Sequence, residues 1–200
     1  ENAALQPRRQ PEICMVDITP LALELAVWGV TDPADLAWLD PPPTGAYGEA
    51  VRLLQTLGAV DRAGCVTAHG KDIARLGVHP RLGHIVLTAG DEPSTALACD
   101  LAALSTERDI LRSEAGKCDT DVRVRLDLLL KTRGGRVPKT YRGMQVNAGA
   151  VRRVRQIADD LRRRLGVNAD SGDPDRAGRL LALAYPDRVA KRRAEHRTAY

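Results

Sequence analysis

The sequence predicts a mainly α-helical protein that carries one small β-hairpin, and three observations support this fold class. Apolar residues recur at helical spacing along most of the chain. Proline and glycine stand where these periodic segments begin or end. Two short apolar pairs, Ala59-Val60 and Cys65-Val66, flank a turn that starts with Asp61 and ends with Gly64. The order helix, short strand, turn, short strand, helix predicts a winged-helix domain.

The helices that enter this domain are bounded by proline and glycine. We expect a first helix over residues 20–30. Pro41–Pro43 lack amide donors and hold the backbone extended, so the next helix begins after them, with Thr44 as its cap. Gly58 stands where a left-handed residue ends a helix at little cost. These signals predict one helix from Thr44 to just before Gly58.

Two further helices follow the hairpin. Thr67 is suited to cap a helix over 67–76, and Pro80 to open another over 80–87. Ahead of the hairpin, we expect the apolar surfaces of Trp38, Leu39 and Pro41 to anchor the domain. The predicted winged-helix domain thus includes everything from its first helix to the helix that Pro80 opens.

The second half of the chain predicts a helical bundle that is interrupted by a loop. Ser94 is expected to cap a helix through Leu104, and a charged turn or short helix follows at 106–112. A helix over 120–131 precedes a basic loop that contains two glycines. The strongest helix covers 147–165, because its apolar residues recur at alternating three- and four-residue steps.

These segments predict four regions along the chain. Residues 1–19 are interpreted as a linker from an upstream domain, and residues 20–90 as the winged-helix domain. Residues 91–172 are interpreted as the helical bundle, and residues 173–200 as the truncated start of a further region.

Charge divides sharply between the two halves of the chain. Residues 1–100 carry 7 Lys or Arg and 13 Asp or Glu, whereas residues 101–200 carry 23 and 13. A basic half favours contact with an anion such as nucleic acid, and an acidic half favours contact with protein. The alternative is an arginine-rich surface without such a partner.

Candidate nucleic-acid contacts lie on the strongest helix and in the basic loop before it. Guanidinium groups along a helix are able to contact successive phosphates without reading sequence. Solvated ion pairs within the helix, and a solvated insertion for the loop, are the alternatives. The predicted contacts are Arg152, Arg155, Arg162, Arg133, Arg136 and Arg142.

No complete active site is predicted. The stretch 64–72 is similar in sequence to a phosphate-binding loop. It is one residue too long, however, and has Asp72 where Ser or Thr is needed to bind Mg²⁺. Asp91-Glu92 follows an apolar run without any upstream phosphate loop. The four cysteines have no metal-ligand spacing, so we expect buried, reduced thiols and no metal site. A cytoplasmic protein without membrane contact is expected, because no long apolar run or signal-peptide pattern is present.

Several blocks of the sequence resemble the bacterial HrpB-type ATP-dependent helicases of the DEAH-box class. The resemblance implies RecA-like motor domains upstream that bind Mg-ATP, so no cofactor is expected in this chain itself. It also implies that the winged helix packs on the motor, and that a ratchet-like bundle helps to contact RNA or single-stranded DNA. The blocks are 23–30, 38–42, 57–59, 76–82, 107–112 and 180–190.

A stand-alone transcription regulator with a winged helix and a helical dimerisation domain is the alternative function. Such a regulator needs basic or amide side chains on the second helix of the winged helix, which enters the major groove. The segment 68–76 offers only Lys71 and Arg75, beside Asp72. This composition favours the accessory segment of a helicase.

Overall fold

The computed structural model describes residues 11–113 and 119–190 of the chain. These residues are mainly helical, as the sequence predicts, and they also form one small antiparallel sheet at positions where the sequence predicts a turn and a loop. In the described ranges, no helix has both the length and the apolar character needed to cross a membrane. The helices are α1 (Thr19–Val27), α2 (Thr44–Thr56), α3 (Ala68–Leu76), α4 (Pro80–Thr88), α5 (Glu92–Thr106), α6 (Val122–Lys131), α7 (Ala148–Leu165) and α8 (Ala177–Ala184). The strands are β1 (Leu111–Arg112), β2 (Thr140–Tyr141) and β3 (Met144–Val146).

The chain forms two compact units, which we call the N-terminal unit, ending at Pro80, and the C-terminal unit, starting at Arg81. The division falls at the beginning of α4, whereas the sequence analysis places that helix at the end of the first domain. The four predicted regions, and their interpretation as linker, winged-helix and ratchet domains, stay predictions.

In the N-terminal unit, the hairpin between α2 and α3 forms where the sequence predicts it. Gly58 ends α2 in the left-handed conformation, with φ at 69°. Val60 and Val66 form an antiparallel bridge, and the Gly64 amide donates to the Asp61 carbonyl at 3.0 Å to close the turn. Thr67 then caps α3 by accepting from the Gly70 amide at 3.0 Å. Local turn and cap chemistry therefore defines this segment.

Close backbone packing holds α3 against the residues that follow α2. A Cβ atom built on Gly70 would lie 2.0 Å from the Ala59 carbonyl oxygen, which no side chain tolerates. The hydroxyl of Thr67 donates to the Gly58 carbonyl at 2.7 Å and holds the same two segments together. Glycine at position 70 is therefore a packing requirement of this unit.

The capping residues predicted for two helices are wrong. Thr44 is the first residue of α2, and its side chain makes no capping hydrogen bond. Pro43 occupies the capping position, because its extended backbone already precedes the first helical residue. In the C-terminal unit, Ser94 lies inside α5, and Asp91 caps that helix by accepting from the Ser94 amide at 2.7 Å.

The expected anchor ahead of α2 is also largely wrong. Leu39 is 99% exposed, and Pro41 is exposed as well. Trp38 is half-buried, and its indole N–H donates to the Pro33 carbonyl at 2.7 Å. The polar edge of the indole therefore fixes this loop locally, and Pro42 is buried beside the exposed Leu39 and Pro41.

In the C-terminal unit, helices α5 and α7 pack against α6 and the sheet around one apolar core. The strand order is β1-β3-β2, and Leu111 of β1 lies opposite Val146 of β3. The predicted charged turn at 106–112 therefore contains a strand, and the predicted basic loop contains part of a hairpin. The buried core residues are Ala103, Ile110, Leu111, Val124, Leu128, Leu129, Met144, Ala150, Val151, Val154 and Ala158.

Not all of the cysteines are buried, although the sequence analysis expects buried thiols. Cys99 on α5 is fully buried, and burial raises the pKa of its thiol to about 12. Cys14 and Cys65 are exposed free thiols, so the expectation is wrong for them. Cys118 lies outside the described residues.

Candidate nucleic-acid interface

Helix α7 supports most of the predicted contacts, and its bounds agree closely with the sequence prediction. The Asn147 side chain caps it by accepting from the Ala150 amide at 3.1 Å, and Gly166 ends it with φ at 66°. One face of the helix is buried in the core of the unit. The arginines of α7 flank this buried face, and their contacts divide them into three groups.

Arg162 lies inside the unit, so it is not available to a strand at the surface. Its side chain is 7% exposed, and one of its Nη atoms donates to Asp100 at 2.6 Å, Ser171 at 2.8 Å and the Ala96 carbonyl at 3.1 Å. The other Nη atom donates to Asp159 at 3.1 Å. The prediction that Arg162 contacts nucleic acid is corrected here, because its guanidinium holds α5 and α7 together.

Three other arginines of α7 are exposed but pair with carboxylates. Arg153 binds Glu107 at 2.8 Å. Arg163 and Arg164 both bind Asp160, at 3.1 Å and 2.8 Å. The two pairs with Asp160 are ion pairs within the helix, the predicted alternative to phosphate binding, whereas Glu107 lies outside α7.

The third group on α7 consists of Arg152 and Arg155. Arg152 is exposed and has no carboxylate partner among the described residues. Arg155 is half-buried, and its Nη2 atom donates to the Thr132 hydroxyl oxygen at 2.5 Å. Both guanidinium groups therefore keep a positive charge that no carboxylate of the described chain neutralises.

Arg136 lies in the loop before β2, and Arg142 lies in the turn between β2 and β3. Arg136 is exposed without a carboxylate partner in the described ranges, whereas Arg142 binds Asp127 at 3.2 Å. The hydroxyl of Tyr141 also donates to Asp127, and this bond, helped by Lys131 and Arg142, holds the pKa of the carboxyl below its ordinary value. Asp127 is therefore a fixed anion that partly neutralises this end of the hairpin.

Arg133, the last of the six predicted contacts, lies after α6. It is exposed and binds Asp170 at 2.8 Å, and that aspartate is itself almost fully exposed. An exposed pair of this kind is worth little and exchanges readily with another anion. Arg133 therefore remains a candidate contact for a strand, but it is a weaker candidate than Arg152 or Arg136 because Asp170 partly neutralises it.

Two exposed cations near the sheet were missed by the sequence prediction. Arg112 of β1 lies opposite Gln145 of β3, which in turn lies opposite Thr140 of β2, and all three residues are exposed. Directly opposed residues share one face of a sheet, so this face is polar and open. Lys139, just before β2, is exposed as well. Only the pairing of the strands reveals that these residues are close to the start of α7.

Neither a catalytic nor a metal constellation is found in the described residues. No group of three or more His, Cys, Asp or Glu residues that could hold a metal ion occurs there. The stretch that approaches a phosphate-binding loop forms the hairpin turn and the start of α3, where Lys71 is exposed.

Comparison with known proteins places this chain among helicases, although no family model matches it. The ATP-dependent RNA helicase HrpB of Escherichia coli strain K12 is 32% identical over 195 residues, which cover 98% of this chain and 20% of that protein. The probable ATP-dependent RNA helicase DHR2 of Saccharomyces cerevisiae is 29% identical over 125 residues, covering 62% of this chain and 17% of that protein. The crystal structure of the Escherichia coli DEAH/RHA helicase HrpB superposes with a TM-score of 0.71 at 30% identity, over 94% of this chain and 20% of that one.

The fold and these relatives define the chain as a segment of a DEAH-type helicase. Both the sequence and the structural match to HrpB extend along nearly the whole chain, which supports an HrpB-type helicase fragment, as the resemblance predicted. It spans about one fifth of the length of the HrpB protein that it matches. A transcription regulator has no support among these relatives. On α3, moreover, Arg75 is held by Asp72 at 2.9 Å.

Proposed function

We propose that this chain serves an ATP-dependent helicase as an accessory segment. The C-terminal unit holds the phosphate backbone of a single strand, and the N-terminal unit packs on RecA-like motor domains of the same polypeptide. RNA is the strand that we propose first, because the relatives are named as RNA helicases. Single-stranded DNA is the second strand to be tested, and a cytoplasmic setting belongs to the same proposal.

The observation that carries this proposal is a set of exposed cations that no carboxylate neutralises. Within the described part of the C-terminal unit, Arg112, Arg136, Lys139 and Arg152 have this character. Strand β3 ends at Val146 and α7 starts two residues later, so Arg152 lies within two helical turns of the sheet. Phosphate contacts by such side chains release counterions, which gives affinity without reading sequence.

The test is a salt titration of oligouridylate binding. We expect the triple variant Arg136→Ala, Lys139→Ala, Arg152→Ala to reduce the slope of log affinity against log salt by about 0.7 for each phosphate that is no longer neutralised, or about 2 in total. The matched control is Arg153→Ala, Arg163→Ala, Arg164→Ala, which removes three arginines whose charge is already paired. The control is expected to keep a slope close to that of the parent.

Two results would contradict this proposal. Equal slopes for the parent and the first triple variant would show that these cations are ordinary solvated surface charges. Tight binding of a duplex with strong sequence preference would favour the transcription regulator instead. A deoxyoligonucleotide in the same titration decides between RNA and DNA, because only the sugar differs.

Packing on a motor is supported by apolar side chains that the N-terminal unit leaves exposed. Met15, Val16, Trp28 and Leu39 all belong to this unit, and Trp28 is 73% exposed. The acidic half of the chain includes this unit, which makes a protein partner more suitable than nucleic acid. Exposed aromatic and aliphatic side chains of this kind favour a protein interface.

Catalysis and Mg-ATP binding are proposed for the motor and not for this chain. We expect the 200-residue chain to release no phosphate from ATP above buffer, with or without RNA. Turnover that copurifies with the chain and survives Lys71→Ala would overturn the accessory role.

A further inference from the structure

Four arginines of the described chain are buried or half-buried, and one of them differs from the rest. Arg81 binds Asp187 at 2.5 Å, Arg125 binds Asp109 at 2.7 Å, and Arg162 binds Asp100 at 2.6 Å. Arg155 has no carboxylate partner among the described residues. Removing a cation from water costs several kcal/mol unless an opposite charge compensates it. The position of Arg155 therefore favours an anion beside it.

The polar groups around Arg155 do not supply that anion. Its Nη2 atom donates to the Thr132 hydroxyl, and that hydroxyl donates its own proton to the Leu128 carbonyl. The Nε atom of Arg155 is buried and has no hydrogen-bond partner in the described chain. One neutral hydroxyl and one unsatisfied N–H are poor compensation for a half-buried guanidinium.

Arg155 lines a cavity of about 130 Å³ between α5, the end of α6 and α7. At about 30 Å³ for each water, this volume accommodates roughly four waters, or one phosphate group with water around it. The walls carry both charges, which decide what the cavity prefers. The lining residues that bear them are Arg133, Arg155, Arg162, Asp100 and Asp159.

The two carboxylates in the wall both bind Arg162, and neither forms an ion pair with Arg155. Both accept from Arg162, Asp100 at 2.6 Å and Asp159 at 3.1 Å. Arg133 has only the exposed Asp170 as partner among the carboxylates of the described chain. The lining therefore carries three guanidinium groups against two carboxylates, so its net charge is positive by one.

We propose that this cavity is a site for one phosphate group, which Arg155 binds with its guanidinium and Arg133 closes at the rim. A planar guanidinium matches two oxygens of a phosphate at once, which a lysine does not achieve. Both a phosphodiester of a bound strand and a free phosphate have this chemistry. The inference rests on the proposed function only for the source of the phosphate group.

The experiment is a titration of the 200-residue chain with inorganic phosphate at constant ionic strength. It is followed by the NMR signals of the Arg155 Nε–H and of the amide of Gly134, which also lines the cavity. We expect saturable shifts with phosphate that equal concentrations of chloride do not produce. Arg155→Met is expected to weaken the affinity at least tenfold, and Arg155→Lys to recover only part of it. The control, Arg152→Met, removes an exposed arginine of the same helix and is expected to change the affinity less than twofold. Circular dichroism checks that each variant keeps its helices.

A second arm adds oligouridylate to the phosphate-loaded chain. Displacement of phosphate by the oligonucleotide identifies the strand backbone as the source, whereas simultaneous binding identifies free phosphate and overturns the strand as the source. Shifts that are linear in phosphate, or that survive Arg155→Met, would overturn the site itself. Such a failure leaves the salt slopes of Arg136, Lys139 and Arg152 untouched, so it is distinguishable from failure of the proposed function.

Discussion

The two units of this chain use arginine in different ways. In the N-terminal unit, Arg52 and Arg75 are exposed and pair with a carboxylate three residues away on the same helix. In the C-terminal unit, Arg81, Arg125 and Arg162 are buried and bind aspartates that are distant in sequence. The first kind of pair joins neighbouring turns of one helix at its surface, and the second kind holds separate segments of the chain together.

This difference shows that the basic composition of the second half has two origins. Part of the arginine excess stabilises the fold from inside, and that part is not available to nucleic acid. The other part lies on the surface without carboxylate partners, and it alone supports binding of a strand. A count of arginines does not separate these roles, because burial and distant partners decide between them.

The largest predicted effect is on the buried pair of the C-terminal unit. We expect Arg162→Met to lower the free energy of unfolding by about 3–5 kcal/mol, because Asp100 is then left buried without a counterion. Urea denaturation of the chain is the measurement. The matched control is Arg163→Met on the next position of α7, whose pair with Asp160 is exposed and worth less than about 1 kcal/mol.

A double variant checks whether the lost stability comes from the unpaired charge of Asp100. The double variant Arg162→Met, Asp100→Leu is expected to recover much of the missing stability, since no unpaired charge then remains. Equal losses for Arg162→Met and Arg163→Met would show that the buried pair does not differ from a surface pair, and the contrast between buried and exposed arginines would fail.

Local signals made α7 predictable, whereas distant contacts hid the role of its arginines. Asn147, Gly166 and the apolar seam lie within the helix or at its ends, so the sequence alone indicates the helix. The partner Asp100 is 62 residues from Arg162, and nothing near Arg162 in the sequence signals it. Strand β1 was missed for the same reason, because two residues have no periodicity and their partner strand is distant.

Caps failed where two polar residues competed for one position. Asp91 and Ser94 are both good capping residues, and only the backbone conformation shows that the helix begins at the first of them. The exposure of Leu39 was equally hidden, because an apolar side chain between a tryptophan and three prolines resembles part of a core. Periodicity and local turns therefore defined most of the fold, but only part of the site.

The second prediction concerns the N-terminal unit, where close backbone packing, and not a buried ion pair, holds segments together. We expect Gly70→Ala to destabilise the chain by about 1–3 kcal/mol, because its Cβ atom would overlap the Ala59 carbonyl oxygen. Gly48→Ala on α2 is the matched control. Its Cβ meets nothing, so alanine should stabilise the helix by about 0.5–1 kcal/mol. Unfolding midpoints that move in the same direction for both variants would contradict the packing role of Gly70.

The third prediction concerns the pH dependence of the hairpin in the C-terminal unit. The pKa of Asp127 is lowered in the folded chain, first by the Tyr141 hydroxyl. A lowered pKa contributes stability above the unfolded value of about 3.9, and this contribution disappears as the pH falls through the folded value. We therefore expect Asp127→Asn to be less stable than the parent at neutral pH, and the difference to disappear as the pH falls through the lowered pKa of the folded chain. A difference in urea midpoint that stays constant over this fall in pH would show that the carboxylate charge is not what ties the hairpin to α6.

The smallest effect on stability is expected at the exposed apolar surface of the N-terminal unit. Leu39 is 99% exposed, so Leu39→Ser should change the free energy of unfolding by no more than about 0.5 kcal/mol. Leu25→Ala, a buried position of α1, is the control and should cost about 2–5 kcal/mol. The proposed packing of Leu39 on a motor domain predicts a second effect. The serine variant should bind the RecA-like segment of its parent polypeptide more weakly than the unchanged chain does, and a pairwise binding measurement tests this. A stable variant with unchanged binding would remove Leu39 from the proposed interface, and a destabilisation as large as that of Leu25→Ala would return Leu39 to the anchor that the sequence predicts.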